Sequence, residues 1–118
     1  MAILAAKICK IKESNIRKIL KNIKTVSGRL ELVKTFPNGI KVFVDYAHTP
    51  DALSEAIKTL KSHYNSNVSL VFGCGGERDV KKRPIMAKIA RSLCKKIYVT
   101  DDNPRRENPK KIRETLVK

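Results

Sequence analysis

Three short runs concentrate side chains that can do chemistry. Asp45-Tyr46-Ala47-His48-Thr49 sets a carboxylate, a phenol, an imidazole and a hydroxyl side by side, directly before Pro50. A carboxylate there can accept from ribose hydroxyls, a ring can lie against a base, and a helix N-terminus beside them favours anions. Gly73-Cys74-Gly75-Gly76-Glu77-Arg78-Asp79, followed by Lys81-Lys82-Arg83, joins a glycine-rich turn to mobile charges. In that run Arg78 can grip a carboxylate bidentately. Asp101-Asp102-Asn103-Pro104-Arg105-Arg106 packs two carboxylates, an amide and two guanidiniums into six residues. That set suits a ligand bearing both an ammonium, for Asp102, and a carboxylate, for Arg105. Each run also has a plainer reading: a helix cap with a satisfied histidine, a turn whose glycines adopt positive φ, and a charged strand-to-helix turn.

One grammar positions all three runs. A β-rich stretch precedes each: Val42–Val44, Val68–Phe72 and Ile97–Thr100. A helix follows each, opened by Pro50, Pro84 or Pro109, since proline at the first helical position loses no intrahelical hydrogen bond. Thr49 and Asn108 stand where N-caps belong. The apolar stripes are Leu53, Ala56, Ile57 and Leu60, then Ile85, Ile89 and Leu93, then Ile112 and Leu116. Alternating strands and helices predict an α/β fold, a mostly parallel sheet with helices on both faces and right-handed crossovers. Ligands then bind outside the carboxyl ends of the strands, where the three runs would form one polar site.

Upstream, Ile3, Leu4, Ile8 and Ile11 give a loose helical stripe. Ser14 is placed to cap a second helix carrying Ile16, Ile19, Leu20 and Ile23, with Lys18, Lys21 and Lys24 on its other faces and an end near Thr25. Leu30 to Thr35 alternates, Pro37-Asn38-Gly39 is turn chemistry, and Ile40–Val44 is β-rich and apolar, so a hairpin with a buried second strand is expected.

The 118 residues suit one compact domain. The formal net charge of +15 raises nucleic acid as a partner. Its distribution argues otherwise, because residues 1–41, 42–79 and 80–118 carry +8, −2 and +9, leaving the stretch with the glycines and histidines slightly acidic. No aromatic-rich sheet motif, zinc spacing or recognition helix supports nucleic-acid binding. The apolar start falls far short of the ~20 residues that span a bilayer, and no signal peptide is expected. Cys9, Cys74 and Cys94 form no C-x-x-C and no metal spacing with His48 or His63; three reduced thiols in a cytoplasmic protein are expected. Neither G-x-G-x-x-G nor G-x-x-x-x-G-K-[ST] occurs.

Taken in order, Val26-Ser27-Gly28-Arg29-Leu30-Glu31, Asp45-Tyr46-Ala47-His48-Thr49-Pro50-Asp51-Ala52-Leu53, Phe72-Gly73-Cys74-Gly75-Gly76-Glu77-Arg78-Asp79 with Lys82-Arg83-Pro84, and Asp102-Asn103-Pro104-Arg105 resemble the Mur ligases, and within them the branch that adds meso-diaminopimelate. The resemblance implies a Rossmann-like C-terminal domain over residues 27–118, truncated at its end, and a helical remnant of the central ATP-binding domain over 1–26. It implies ATP-dependent amide formation with Mg2+ as part of peptidoglycan biosynthesis in the cytoplasm. The substrates would be meso-diaminopimelate and UDP-muramoyl-dipeptide, whose carboxylate becomes an acyl phosphate before the amine attacks. By the same resemblance Arg29 reaches the ATP phosphates, and Asp45, Tyr46 and His48 lie near the adenosine. Arg78 holds the diaminopimelate carboxylate, and Asp102, Asn103, Pro104 and Arg105 form the recognition signature. Arg105 is the discriminating position, because a guanidinium matches the carboxylate that diaminopimelate has and lysine lacks.

The sequence also departs from the family pattern. Ser27 stands where proline is usual. The P-loop, the carbamylated lysine that helps hold magnesium, the UDP-sugar domain and the later Gly-Lys-Gly-His-Glu segment do not occur here. ATP and Mg2+ would therefore be held mainly by a central domain outside this chain, possible as a separately encoded partner, and the chain alone is expected to be inactive, with no complete catalytic set and no metal ligands. The competing expectations are a piece of a folylpolyglutamate-synthase-like ligase and a basic module that binds nucleic acid or complements a partner chain.

Overall fold

The computed structural model describes residues 2–23 and 26–117. They fall into two compact units, one up to Val44 and one from Asp45 onward.

The first unit holds α1 (Ala2–Ile8), α2 (Glu13–Leu20) and a hairpin of β1 (Glu31–Thr35) and β2 (Lys41–Val44). Helix α2 is capped without Ser14: Lys12 is the N-cap residue, in an extended conformation, and Ser14 lies inside the first turn. The helix closes at Leu20, with Lys21 as C-cap, earlier than the apolar stripe suggested; Lys24 and Thr25 lie outside the described residues. Ile16 is its one buried residue. In the hairpin, Gly39 takes φ +82, its N–H donates to Phe36 O, and the Asn38 side chain accepts from Ile40 N–H, which closes the turn. The antiparallel register slips between Leu32 and Lys34, so Val33 interrupts the expected alternation. Strand β2 is not buried, since Val42 and Val44 stay exposed and Phe43 is half-buried.

The second unit contains α3 (Pro50–Tyr64), β3 (Ser69–Phe72), α4 (Lys82–Leu93), β4 (Lys96–Val99) and α5 (Pro109–Val117). Strands β3 and β4 pair in parallel, with Leu70 opposite Ile97 and Phe72 opposite Val99. The mixed α/β class stands, but the sheet differs from the expectation in two ways. Strand β2 takes its hydrogen bonds from β1 across a local turn, so among the described residues only β3 and β4 form a parallel pair. Helices do not cover both faces of that pair. Leu53 and Ile57 of α3, Met86, Ala87 and Ala90 of α4, and Ile112 and Leu116 of α5 share one core with Phe72 and Cys74, against which Leu70, Ile97 and Val99 pack. On the opposite face Val71 and Tyr98, partners in register, remain exposed.

The prolines open two helices out of three as expected. Thr49 caps α3, its hydroxyl accepting from Ala52 N–H at 3.3 Å, with Pro50 first in the helix. Asn108 accepts from Lys110 N–H at 2.9 Å ahead of Pro109. Helix α4 instead begins at Lys82, so Pro84 is third, and no side chain caps it. Of the predicted stripe, Ile89 and Leu93 pack half-buried against the core, but the face is centred on other residues. Ile85 is half exposed, while Met86 and the two alanines face inward and let α4 pack on both α3 and α5.

Candidate ligand site at the ends of the parallel strands

The strand ends of β3 and β4 lead into two loops, residues 73–81 and 100–108, that lock onto each other. Thr100 N–H continues the ladder by donating to Phe72 O at 3.0 Å. Beyond it, Gly76 N–H donates to Asn103 O at 2.9 Å, and Arg105 Nη1 donates to Gly76 O at 2.7 Å. The fit leaves no room for side chains. A β-carbon on Gly73 would lie 2.5 Å from Thr100 O, and one on Gly76 would lie 1.9 Å from Pro104 O. These glycines are there for close backbone approach, and none of Gly73, Gly75 and Gly76 has positive φ. Positive φ falls instead on two residues with side chains, Glu77 at +51 and Arg105 at +50.

Beneath this contact lies a pair that sequence reasoning missed. Arg83, grouped above with the mobile charges, is 3% exposed. Its Nη1 and Nη2 each donate to the Glu107 carboxylate at 3.0 Å, and Nη2 also donates to Gly75 O at 3.1 Å. Its Nε is buried without a partner among the described residues. Glu107 also accepts from Glu77 N–H. The Arg83 guanidinium, and then the Glu77 N–H, hold the Glu107 carboxyl below the usual carboxylate range. No sequence signal marks this pair, whose members stand 24 residues apart.

The third run joins through Lys82, whose Nζ donates to His48 O at 2.7 Å. Asp45 Oδ1 accepts from Ala47 N–H at 2.8 Å. His48 Nδ1 lies 3.0 Å from Tyr46 O; a carbonyl can only accept, so Nδ1 donates to it. The Tyr46 and His48 rings meet edge-on at 5.4 Å, with Tyr46 67% exposed. An exposed phenol face and a fixed imidazole beside a capped helix start suit an adenosine.

Of the acidic pair, Asp101 is engaged by Arg113 of α5. Asp102 and Arg78 are exposed, with no hydrogen bond or ion pair among the described residues. Asn103 receives Arg105 N–H on its side chain at 3.3 Å and Gly76 N–H on its carbonyl, while Pro104 O accepts from Glu107 N–H. The edge therefore offers an unpaired carboxylate, an unpaired guanidinium, and a second guanidinium anchored at one nitrogen. Burial pushes the Cys74 thiol up, making it a packing residue beside Met86. No group of three or more His, Cys, Asp or Glu among the described residues could hold a metal ion. No described helix is long and apolar enough to cross a membrane.

Arg29 belongs to the first unit. It stands in a turn where Ser27 Oγ and Gly28 N–H donate to the Glu31 carboxylate at 2.9 and 2.7 Å. Those bonds, Gly28 first, hold Glu31 below its ordinary pKa. The serine that replaces the family's usual proline thus bonds within the turn that presents Arg29.

A family model described as "Mur ligase, glutamate ligase domain" matches residues 28–118. A UDP-N-acetylmuramoyl-L-alanyl-D-glutamate–2,6-diaminopimelate ligase from Chelativorans sp. is 49% identical over 98 residues, covering 83% of this chain and 20% of that one. The ligase of the same name from Rickettsia bellii is 46% identical over 106 residues, covering 88% and 22%. A solved structure with that name superposes with a TM-score of 0.69 at 36% identity, covering 98% of this chain and 23% of the other. UDP-N-acetylmuramate-alanine ligase from Thermotoga maritima superposes with a TM-score of 0.73 at 22% identity, which speaks to the fold alone. The chain spans about a fifth of the length of the curated relatives it matches.

Proposed function

The chain belongs to the Mur ligase family, and on that premise we propose that it is the amino-acid-recognising part of an ATP-dependent ligase that adds meso-diaminopimelate to UDP-N-acetylmuramoyl-L-alanyl-D-glutamate. That reaction builds peptidoglycan, and so the cell wall, cell shape and division, from cytoplasmic precursors. The carrying observation is the interlock of Gly76 with Asn103 and Arg105, which sets Arg78 and Asp102 along the edge of two hydrogen-bonded loops. Diaminopimelate carries two ammonium and two carboxylate groups. Asp102 takes an ammonium, while Arg78 and the outer nitrogens of Arg105 take carboxylates. Because Arg105 Nη1 is tied to Gly76 O, its planar fork is already oriented, and less rotamer freedom is lost on binding. Residues 1–26 read as the last helices of the central domain and 27–118 as the C-terminal domain.

ATP supplies the activation of the acceptor carboxylate. The part of this chain is to seat the nucleoside at Asp45, Tyr46 and His48; Arg29, of the first unit, is assigned separately as a phosphate-binding residue by the family resemblance. The described residues do not fit Mg2+, so no magnesium step is assigned to them. Alone, the chain binds the amino acid and does not ligate it; a partner domain with a P-loop completes the enzyme.

Two measurements test this. With meso-diaminopimelate, UDP-muramoyl-dipeptide and Mg-ATP the chain releases no phosphate above background; robust turnover overturns the expectation of inactivity. Titrated with meso-diaminopimelate, it shows amide shifts at Arg78 and Asp102–Arg105, and Arg105→Lys cuts the preference for meso-diaminopimelate over L-lysine by about tenfold or more, since one lost ligand contact of about 1.4 kcal/mol is a factor of ten. Equal response to both amino acids by the unsubstituted chain refutes the assignment.

A further inference from the structure

We propose that Arg83 and Glu107 are positioning residues whose ion pair, with Arg83 buried and Glu107 half-buried, holds Glu77 and Arg105 in left-handed backbone conformations and so presets the guanidiniums of Arg78 and Arg105. The ligand arm of this proposal rests on the reading above; the conformational arm does not.

A side-chain-bearing residue pays sterically for φ near +50, and such conformations persist only where the surroundings over-determine them. Here two of them face each other across one loop contact. Glu107 supplies the constraint on the first, because its carboxylate accepts from Glu77 N–H. Arg83 supplies the counter-charge and, through Nη2, ties down Gly75 O two residues earlier. The intervening Gly76 then reaches Asn103 with its N–H and receives Arg105 Nη1 on its carbonyl. Asn103 closes the circuit by accepting Arg105 N–H on its side chain. The network therefore runs from Arg83 and Glu107 through residues 75–77 to residues 103–105.

Stability alone does not account for the pair. The buried Arg83 guanidinium carries a desolvation penalty, Glu107 being 32% exposed, and an apolar side chain of similar volume commonly serves the fold as well. Apolar side chains cannot, however, bond Gly75 O and Glu77 N–H. Arg83 is 3% exposed and leaves its Nε without a partner, so the site tolerates an unsatisfied buried donor to keep the two directed bonds of its fork.

The test uses the 118-residue chain and three variants. In Arg83→Lys the fork is lost and the charge kept. In the double variant Arg83→Met with Glu107→Leu the pair is replaced by apolar volume, which keeps a folded chain even where the single substitution fails to fold. In Glu77→Gly, added to either background, the left-handed conformation becomes free of strain. Without ligand, backbone couplings and chemical shifts of residues 77 and 105 report φ directly. Both signatures are expected to be lost in the double variant, with the core amides of Ala87 and Ala90 unchanged; retention of both in that folded variant overturns the proposal. With ligand, the dissociation constant for meso-diaminopimelate is expected to rise at least tenfold while that for L-lysine changes less, and Glu77→Gly is expected to recover part of the loss. A proportional loss for both amino acids without rescue by glycine assigns the pair a structural role only and also overturns it. If the unsubstituted chain binds neither amino acid, the functional reading falls and the ligand-free arm still decides the positioning role.

Discussion

Replacing Gly76 by alanine adds one methyl group at the tightest point of the loop contact. The new β-carbon would sit 1.9 Å from Pro104 O and 2.7 Å from Pro104 C, both backbone atoms. Pro104 O is itself fixed by Glu107 N–H at 3.0 Å, so it cannot swing aside cheaply. Ordinary contact needs a shift of more than an ångström, enough to break Gly76 N–H to Asn103 O and Arg105 Nη1 to Gly76 O. A neutral hydrogen bond contributes about 1 kcal/mol and one to a charged group about 1.5–3. Lower unfolded-chain entropy returns roughly 0.4–1 kcal/mol when glycine becomes alanine. The expected net loss is about 2–3 kcal/mol. Gly75→Ala is the control one residue away. Its β-carbon meets Arg105 Nη1 at 3.0 Å and no backbone atom nearer than 3.4 Å, so that side chain need give by only a few tenths of an ångström and a change within about 0.5 kcal/mol is expected. Urea unfolding followed at the amides of Ala87 and Ala90 reads the second unit alone. Equal destabilisation by the two substitutions, or none by either, refutes the claim that these glycines serve backbone approach.

Four groups elsewhere give independent checks. Met86, 2% exposed where α4 faces the shared core, is expected to cost about 2–5 kcal/mol on truncation to alanine, measured by the same unfolding curve. Cys9 is exposed whereas Cys74 is buried with its thiol pushed up, so iodoacetamide is expected to label Cys9 first and Cys74 only as the chain unfolds; simultaneous labelling in native buffer counts against the burial. Glu107 is held below its ordinary value of 4.5 in the folded chain. Its contribution is therefore present above the unfolded pKa and lost as pH falls through the folded one. An acid titration of Gly75 and Gly76 amide shifts is expected to show a transition below about pH 4.5 that Glu107→Gln abolishes; persistence of that transition in the variant assigns it to another carboxylate. Ser27→Ala is expected to raise the Glu31 pKa while leaving the Gly28 bond in place, as read by carboxyl NMR, because Gly28 is the larger of the two causes; an unchanged value sinks the account of that turn.

The element order was legible because it rests on local chemistry. Pro50 and Pro109 at helix starts, Thr49 and Asn108 as caps, and Pro37-Asn38-Gly39 as a turn act within a few residues, and each does its expected work. What failed depends on partners far along the chain. Val42-Phe43-Val44 is as apolar as an interior strand and pairs with β1 in the expected hairpin, yet composition cannot say whether a further layer covers it, and Val42 and Val44 stay exposed. The α4 stripe of Ile85, Ile89 and Leu93 was drawn from the largest apolar residues. Ile89 and Leu93 do pack half-buried against the core, but Ile85 stays exposed, and the most deeply buried residues are the small Ala87 and Ala90 and the adaptable Met86, which let the helix approach α3 and α5 together.

The site divides along the same line. The residues proposed to face the ligand stand out in the sequence, because carboxylates and guanidiniums packed into six residues at a strand end are conspicuous there, and Asp102 and Arg105 are exposed in the fold. What supports them does not stand out. Arg83 stands in Lys81-Lys82-Arg83, where all three cations look alike, and the fold gives each a different fate. Lys81 is exposed at the helix cap, Lys82 reaches His48 O, and Arg83 is buried against Glu107. Only arginine has a planar fork that can serve a carboxylate with two nitrogens while reaching a carbonyl from one of them. The difference between a surface charge and the centre of the loop contact thus lies in side-chain geometry together with an acidic partner 24 residues away. By the same reasoning the glycines of Gly73-Cys74-Gly75-Gly76 suggest a phosphate turn only while their neighbours are unknown. Once Thr100 and Pro104 are seen against them, the missing side chains of Gly73 and Gly76 are explained by another stretch of backbone, and the ligand chemistry proposed above rests on Arg78, Asp102 and Arg105 instead.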